Sequence, residues 1–199
     1  KECLVEHIFG PAGDMILIEE CLTGQEVSVF AFTDGKSISP LIAACDYKRA
    51  YDNDLGPNTG GMGSYSPPPF WNPKLEREIR DTIIVPTIAA LQKEGIEYTG
   101  VLYSGIMLTR NGPKVIEFNC RLGDPEAQVI LPRLSTDLME IILAVTNRNL
   151  HETTIAWQEM AAVGVVIASG GYPGKYKTGI PINGLIEAEE IGLVFHAGS

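Results

Sequence analysis

Apolar and polar positions alternate through EVSVFAFTDGKSISPLIAA, residues 26–44, with Asp34-Gly35 at the centre. Alternation sends successive side chains to opposite faces of a strand, and Asp-Gly between two such runs is a strong hairpin signal. The short apolar run MILIEECL (15–22) precedes it and turns at CLTGQ, so residues 15–46 read as an antiparallel meander. TGVLYSGIMLTRNGPKVIEFN (99–119) reads as a second hairpin, turning at Asn111-Gly112. Between the hairpins, 46–71 is rich in Gly and Pro and reads as a long loop, a class of segment that is usually functional or disordered. The period then lengthens. NPKLEREIRDTIIVPTIAALQKEG (72–95) predicts a helix with Asn72 as N-cap, Pro73 in the first helical position and Gly95 past the end. Pro86 should bend or interrupt it. Residues 124–150 predict helix in two pieces around Pro132, the second with Leu138, Ile141, Ile142 and Val145 on one stripe.

These elements predict an α+β fold, an antiparallel sheet with flanking helices, over residues 1–155. After a polar connection at 150–158 a β-rich stretch begins. Residues 156–199 are too few for an independent core and are expected to open a second, truncated domain. The chain starts at Lys rather than Met and ends in VFHAGS without a closing element, so a fragment of a longer chain is expected.

Composition narrows the function classes. The chain has 199 residues, 45% hydrophobic and 20% charged, as in ordinary soluble globular proteins. A net charge of −10 argues against nucleic-acid binding, although a local cluster of Lys, Arg and backbone N–H groups can still hold a small anion. No apolar run is long enough to span a bilayer, and no secretory leader is evident. Cys3, Cys21, Cys45 and Cys120 have neither zinc-knuckle nor redox-pair spacing, which predicts reduced thiols in a cytoplasmic protein. His7, His151 and His196 are scattered and read as surface or half-buried residues. No nucleophile–base pattern is recognisable.

Chemistry gathers in KVIEFNCRLGDPE (114–126). As a strand it places Val115, Glu117, Asn119 and Arg121 on one face and Ile116, Phe118 and Cys120 on the other. Glu117 and Asn119 then lie about 6.5–7 Å apart along the strand. Oxygen ligands without thiolate or imidazole favour Mg2+ (or Mn2+), a cation that keeps waters and borrows phosphate oxygens. Arg121 lies close enough to meet the same anion. The plainer reading is a solvated strand face. The RLGDPE turn, with Asp124 and Glu126 behind it, tips the balance towards a site. GPNTGGMG (56–63) holds four glycines in eight residues, which lets backbone N–H groups approach an anion. Lys48 and Arg49 precede it. A flexible surface loop is the alternative, and the compact placing of Asn58, Thr59 and Met62 favours ligand contact. IEECL (18–22) with Glu26 could offer backbone groups to an adenine and a carboxylate to a ribose, but these residues alone read better as a strand end reaching water. Tyr47, Tyr51, Tyr65, Phe70 and Trp71 read as packing that anchors the loop.

MILIEECLTGQEVSVFAFTDG, DYKRAYDNDLGPNTGGMGSYSP, YTGVLYSGIML and KVIEFNCRLGDPEAQ together resemble the phosphoribosylamine–glycine ligase family, ATP-grasp enzymes of purine biosynthesis, over roughly residues 5–195. The resemblance implies ATP between two α+β subdomains, with glycine and 5-phosphoribosylamine as the other substrates. Glu19, Glu20, Cys21 and Leu22 would form the adenine hinge, and Glu26 would face the ribose. Lys48, Arg49, Asn58, Gly60 and Gly61 would line the nucleotide and substrate cleft. Glu117 and Asn119 would bind Mg2+ (or Mn2+). Arg121 and Asp124 would lie where the substrates react. Where many ATP-grasp ligases carry a carboxylate on the preceding strand, this sequence has Tyr103 and Ser104. The resemblance also implies that an N-terminal portion of the enzyme, with a phosphate-contacting lysine, precedes Lys1, so the 199-residue chain alone is expected to be inactive and to bind Mg·ATP more weakly than micromolar. Two alternatives stand beside this: another carboxylate–amine ligase, distinguished by carboxylate scope, and a non-catalytic nucleotide-binding module, distinguished by indifference of turnover to Glu117→Ala.

Overall fold

The computed structural model describes residues 2–53 and 55–199, so Lys1 and Asp54 lie outside it. Among the described residues the strands are β1 (Gln25–Thr33), β2 (Ile42–Asp46), β3 (Arg49–Tyr51), β4 (Leu55–Asn58), β5 (Gly63–Ser66), β6 (Gly100–Thr109), β7 (Gly112–Asn119) and β8 (Ala162–Val165). Six form one antiparallel sheet in the order β7-β6-β1-β2-β5-β8, and β3 and β4 pair as a separate ribbon.

Both predicted hairpins form, and local chemistry explains why. After β1, Asp34 Oδ1 accepts the N–H groups of Lys36 at 2.9 Å and Ser37 at 2.6 Å, while Gly35 takes φ +92°. Asp34 Oδ2 accepts the buried N–H of Leu150 at 3.1 Å. Burial opposes the charge on Asp34, but these backbone donors prevail and hold its carboxyl below the usual range. The second hairpin closes over Arg110 and Asn111, with Gly112 at φ +96°.

The helical segment starts as its cap predicts. Asn72 Oδ1 accepts the N–H groups of Lys74 at 3.0 Å and Leu75 at 3.1 Å, and α1 (Pro73–Ile79) follows. A π-helical turn, Arg80–Ile84, joins it to α2 (Val85–Lys93). Here the expected interruption at Pro86 is a widened turn rather than a break. Val85 N–H reaches back to the Arg80 carbonyl, which makes room for a residue that has no N–H to give and whose ring crowds the preceding turn.

The two faces of the sheet are covered differently. On one, Val27, Val29, Ala31, Ala43, Cys45, Leu102 and Ile106 pack against Ile79, Ile83, Ile84 and Ile88 of the long helical segment. On the other, Phe30, Ile42, Ala44 and Tyr103 meet Val129 and Ile130 of α3 (Ala127–Ile130), and Phe32 meets Ile141, Ala144 and Val145 of α4 (Leu138–Thr146).

Four expectations change. Residues 15–22 form no strand, and Met15, Leu17 and Ile18 are exposed, because among the described residues no strand lends their backbone a ladder. The expected loop 46–71 contains β3, β4 and β5. Around Pro132 the two expected helical pieces form, α3 and α4, with a 3-10 turn, Leu131–Arg133, seating the proline. On α4, Ile142 is exposed and Ala144 is buried in its stead. The sheet also continues past residue 155. β8 pairs with β5, and the buried Arg133 binds Ser66 Oγ at 2.6 Å and the carbonyls of Met160 at 2.8 Å and Gln158 at 3.0 Å. Beyond Val165, α5 (Leu185–Glu189) is the one helix among the described residues.

Candidate active site

The sheet face turned away from α1 and α2 becomes polar towards β7. Cross-strand registers set Ser28 opposite Gly105 and Gly105 opposite Glu117, then Phe30 opposite Tyr103 and Tyr103 opposite Asn119. Glu117 and Asn119 therefore share this face with Ser28 and Tyr103. Gly105 leaves the gap in which the Glu117 stem lies, since a Cβ there would sit 3.3 Å from Glu117 Cγ. The predicted grouping of Val115 with Glu117 is incorrect. Ile106 pairs with Val115 while its neighbour Gly105 pairs with Glu117, so Ile116 is the extra residue of a β-bulge. The bulge reverses the alternation: Val115 falls to the helix side, and Ile116 joins Glu117 in lining a groove with Glu26, Ser28, Lys48 and Tyr103.

Asn119 Nδ2 donates to Glu117 Oε1 at 3.1 Å, which fixes the two side chains beside each other and leaves Glu117 Oε2 and Asn119 Oδ1 without donors among the described residues. That donor set, one carboxylate and one amide oxygen on a solvent-open face, fits a hard divalent cation that draws its remaining ligands from water and phosphate. Among the described residues no group of three or more His, Cys, Asp or Glu side chains is arranged to hold a metal ion.

Across the groove Lys48 Nζ donates to Glu26 Oε2 at 2.7 Å. Burial alone would lower the Lys48 pKa, but the bond to Glu26 and the charges of Asp46, Glu26 and Glu126 carry it above its usual value. Burial pushes the Asp46 carboxyl up, with Lys48 opposing. The groove thus holds one firmly charged ammonium among carboxylates. Arg121, just past β7, donates Nη1–H to the Leu122 carbonyl at 3.0 Å, and its guanidinium lies 5.9 Å from the centre of the Tyr103 ring. Asp124 Oδ1 accepts from Gln128 Nε2 at 2.8 Å on the surface.

The other predicted residues fall around this centre. Arg49 Nη1 donates to the Gly56 carbonyl at 2.8 Å and pairs across the ribbon with Asn58. Gly60 N–H donates to Tyr172 OH at 3.1 Å, and Gly61 N–H to Thr59 Oγ1 at 3.0 Å. Gly61 takes φ +119°, and a Cβ there would lie 2.3 Å from Pro125 Cδ. The glycine loop and the RLGDPE turn are therefore in contact, joined also by Ser64 Oγ donating to the Pro125 carbonyl at 2.7 Å. Of the hinge residues, Glu19 and Cys21 are exposed, Leu22 is half-buried, and Glu20 Oε2 accepts from Lys114 Nζ of β7 at 2.8 Å.

Sequence reasoning placed Glu126 at the RLGDPE turn but gave it no burial, partner or role. It is 2% exposed, and its Oε1 accepts Ser28 Oγ and Tyr103 OH, each at 2.9 Å. The signal was present: Gly123 stands three residues before it, and a Cβ there would lie 2.2 Å from Glu126 Oε2.

The sheet, its two helical coverings and the open groove are those of an ATP-grasp-like fold. A solved phosphoribosylamine–glycine ligase from Thermotoga maritima superposes with a TM-score of 0.66 at 34% identity, covering 80% of this chain and 40% of that one. The family model for the phosphoribosylglycinamide synthetase ATP-grasp (A) domain matches residues 1–127, and the chain belongs to that family. It is 55% identical over 201 residues to the phosphoribosylamine–glycine ligase of a Nostoc species, covering 100% of this chain and 47% of that protein. It is 53% identical over 201 residues to a trifunctional purine biosynthetic protein of Gallus gallus, covering 100% of this chain and 20% of that one. The chain thus spans about half the length, or a fifth, of the curated relatives it matches.

Proposed function

We propose that this chain supplies the groove in which a phosphoribosylamine–glycine ligase joins glycine to 5-phosphoribosylamine at the expense of ATP, giving glycinamide ribonucleotide, ADP and phosphate. Family membership supports the reaction. The observation that carries the site is the Glu117–Asn119 pair, side by side on one sheet face, with Glu117 lining a groove that also holds Lys48.

In this reading Glu117 and Asn119 would hold Mg2+ (or Mn2+), which when bound would neutralise charge on the nucleotide phosphates. The Glu19–Leu22 segment offers backbone groups to adenine, and Glu26 faces the ribose. Lys48 and Arg49, with Asn58 and the N–H groups of Gly60 and Gly61, line the phosphate and substrate side. A glycine carboxylate oxygen attacks the γ-phosphorus as the bond to ADP breaks, giving glycyl phosphate. The amine of phosphoribosylamine then attacks the acyl carbon, phosphate leaves, and the nitrogen gives up a proton as the amide forms. Arg121 balances negative charge at the reacting carboxyl, and Asp124 borders it. No side-chain nucleophile is needed. The rate comes from alignment and charge neutralisation.

Residues 1–155 form the ATP-grasp unit in this account, and 156–199 open a further unit expected to be β-rich, whose one strand among the described residues, β8, belongs to the sheet. The partners are the three small substrates and the remainder of the enzyme, with neither nucleic acid nor membrane. No helix among the described residues is long and apolar enough to cross a membrane, and a cytoplasmic setting follows from the purine-pathway reading. The test is glycine-dependent ADP release by the full-length protein. Glu117→Ala should lower turnover by at least ~100-fold, the scale of losing a key electrostatic contact. Turnover indifferent to that change, or equal ADP release with unrelated carboxylates, would refute the assignment.

A further inference from the structure

Under the floor of the groove lies a buried polar cluster to which the proposed reaction assigns no task. Glu126 Oε1 accepts Ser28 Oγ and Tyr103 OH, each at 2.9 Å, and the two hydroxyls are themselves 2.9 Å apart. All three residues are buried. A carboxylate is costly to bury unless its oxygens are bonded, and the surroundings are shaped to admit this one. Gly123 leaves room for the carboxyl group, and Ser28 and Tyr103 come from adjacent strands on the same face. The Arg121 guanidinium lies over the Tyr103 ring, 5.9 Å from its centre. Tyr103 is thus held by its hydroxyl and presents its ring to a cation.

We propose that Glu126 is a positioning residue. Through Tyr103 it fixes the aromatic platform on which Arg121 rests, and so fixes where the guanidinium meets the anionic substrate group. The reasoning is geometric. A phenol with its hydroxyl free can tilt against its packing on Phe30, whereas one that donates its proton to a buried carboxylate cannot tilt without breaking that bond. Among the described residues Arg121 makes one hydrogen bond, to the carbonyl of the adjacent residue, which constrains its head weakly. The ring is its other support. The inference rests on the ligase reading only for the reaction that Arg121 serves.

Two readouts on the full-length protein test it. The first does not depend on activity: the Arg121 Nε–Hε resonance in 15N-arginine-labelled protein, assigned by its loss in Arg121→Lys. The ring should displace that resonance in the wild type, and Tyr103→Phe and Glu126→Gln should each return it towards the position of a free arginine. The second is a kinetic cycle. Tyr103→Phe should lower kcat about tenfold, the scale of one lost buried hydrogen bond, with the KM for ATP changed less than twofold. In an Arg121→Met background the same change should cost less than twofold, because the residue it positions is gone. Should Glu126→Gln fail to fold, Tyr103→Phe, which removes one hydroxyl, carries the same reading. An unmoved Arg121 resonance in Tyr103→Phe, or a full tenfold loss in both backgrounds, overturns the proposal. If the wild-type protein ligates no glycine, the functional assignment fails instead, and the resonance still decides this one.

Discussion

The two faces of β1 are built from one alternating run and serve opposite ends. Val27, Val29 and Ala31 point into a dry layer with Ile79, Ile83, Ile84 and Ile88. Glu26, Ser28 and Phe30 point the other way, where apolar packing gives out towards β7 and a polar groove begins. The helix-covered face secures the sheet by burial. The groove face keeps its charged groups either open to solvent, as Glu117 is, or bonded below the surface, as Glu126 is. Stability and chemistry are thereby separated by the thickness of a single sheet, and mutations on the two faces should move different observables.

The largest contrast is expected from Glu117→Ala, which should reduce turnover of the full-length protein by ~100-fold or more while leaving the thermal midpoint nearly unchanged, because that side chain is exposed. Ile84→Ala should do the reverse. Its side chain is 0% exposed in the dry layer, so the loss is expected at ~2–5 kcal/mol by chemical denaturation, with the KM for ATP little altered while the protein is folded. A smaller effect tests the β1–β2 turn. Asp34→Ala strands the buried Leu150 N–H and frees two turn N–H groups, at a cost of ~1–3 kcal/mol. Because the folded state holds the Asp34 pKa below its unfolded value, its contribution is fully present above the ordinary carboxylate pKa. It fades as pH falls through the lowered folded value, so the gap between wild type and variant should narrow as pH falls below the ordinary carboxylate range. Asn72→Ala, which removes the cap of α1, should cost ~1 kcal/mol. Least of all, Lys114→Ala removes a largely solvent-exposed pair with Glu20 and should change stability by less than ~0.5 kcal/mol.

Much of this contrast is legible in the sequence. Both hairpins and the Asn72-capped helix were readable because their signals are local: a turn glycine, a cap, a period. The β-bulge at Ile116 was not, since neither glycine nor proline marks it and only the pairing with β6 reveals it. It changes the side of Val115 without changing the Glu117–Asn119 relation, so the chemical reading of those two residues survives an error in the strand around them. Residues 15–22 misled because apolar content predicts burial only when a partner strand is at hand. The strands within 46–71 were hidden by glycines that here serve close approach, Gly61 to Pro125 and Gly63 to the Gly164 carbonyl. Glu126 was readable as part of the polar turn, but its burial was not. Its burial depends on Ser28 and Tyr103, distant in sequence and joined only through the register of β1 with β6.

The central claim is that Glu117 and Asn119 together offer one divalent cation two oxygens on the groove face. Manganese bound to the full-length protein with ATP, followed by the loss of the free-ion electron paramagnetic resonance signal, measures this without catalysis. The account predicts that Glu117→Ala and Asn119→Ala each weaken manganese binding at least ~10-fold, and that the double variant adds little further. Manganese affinity unchanged in both single variants would contradict it.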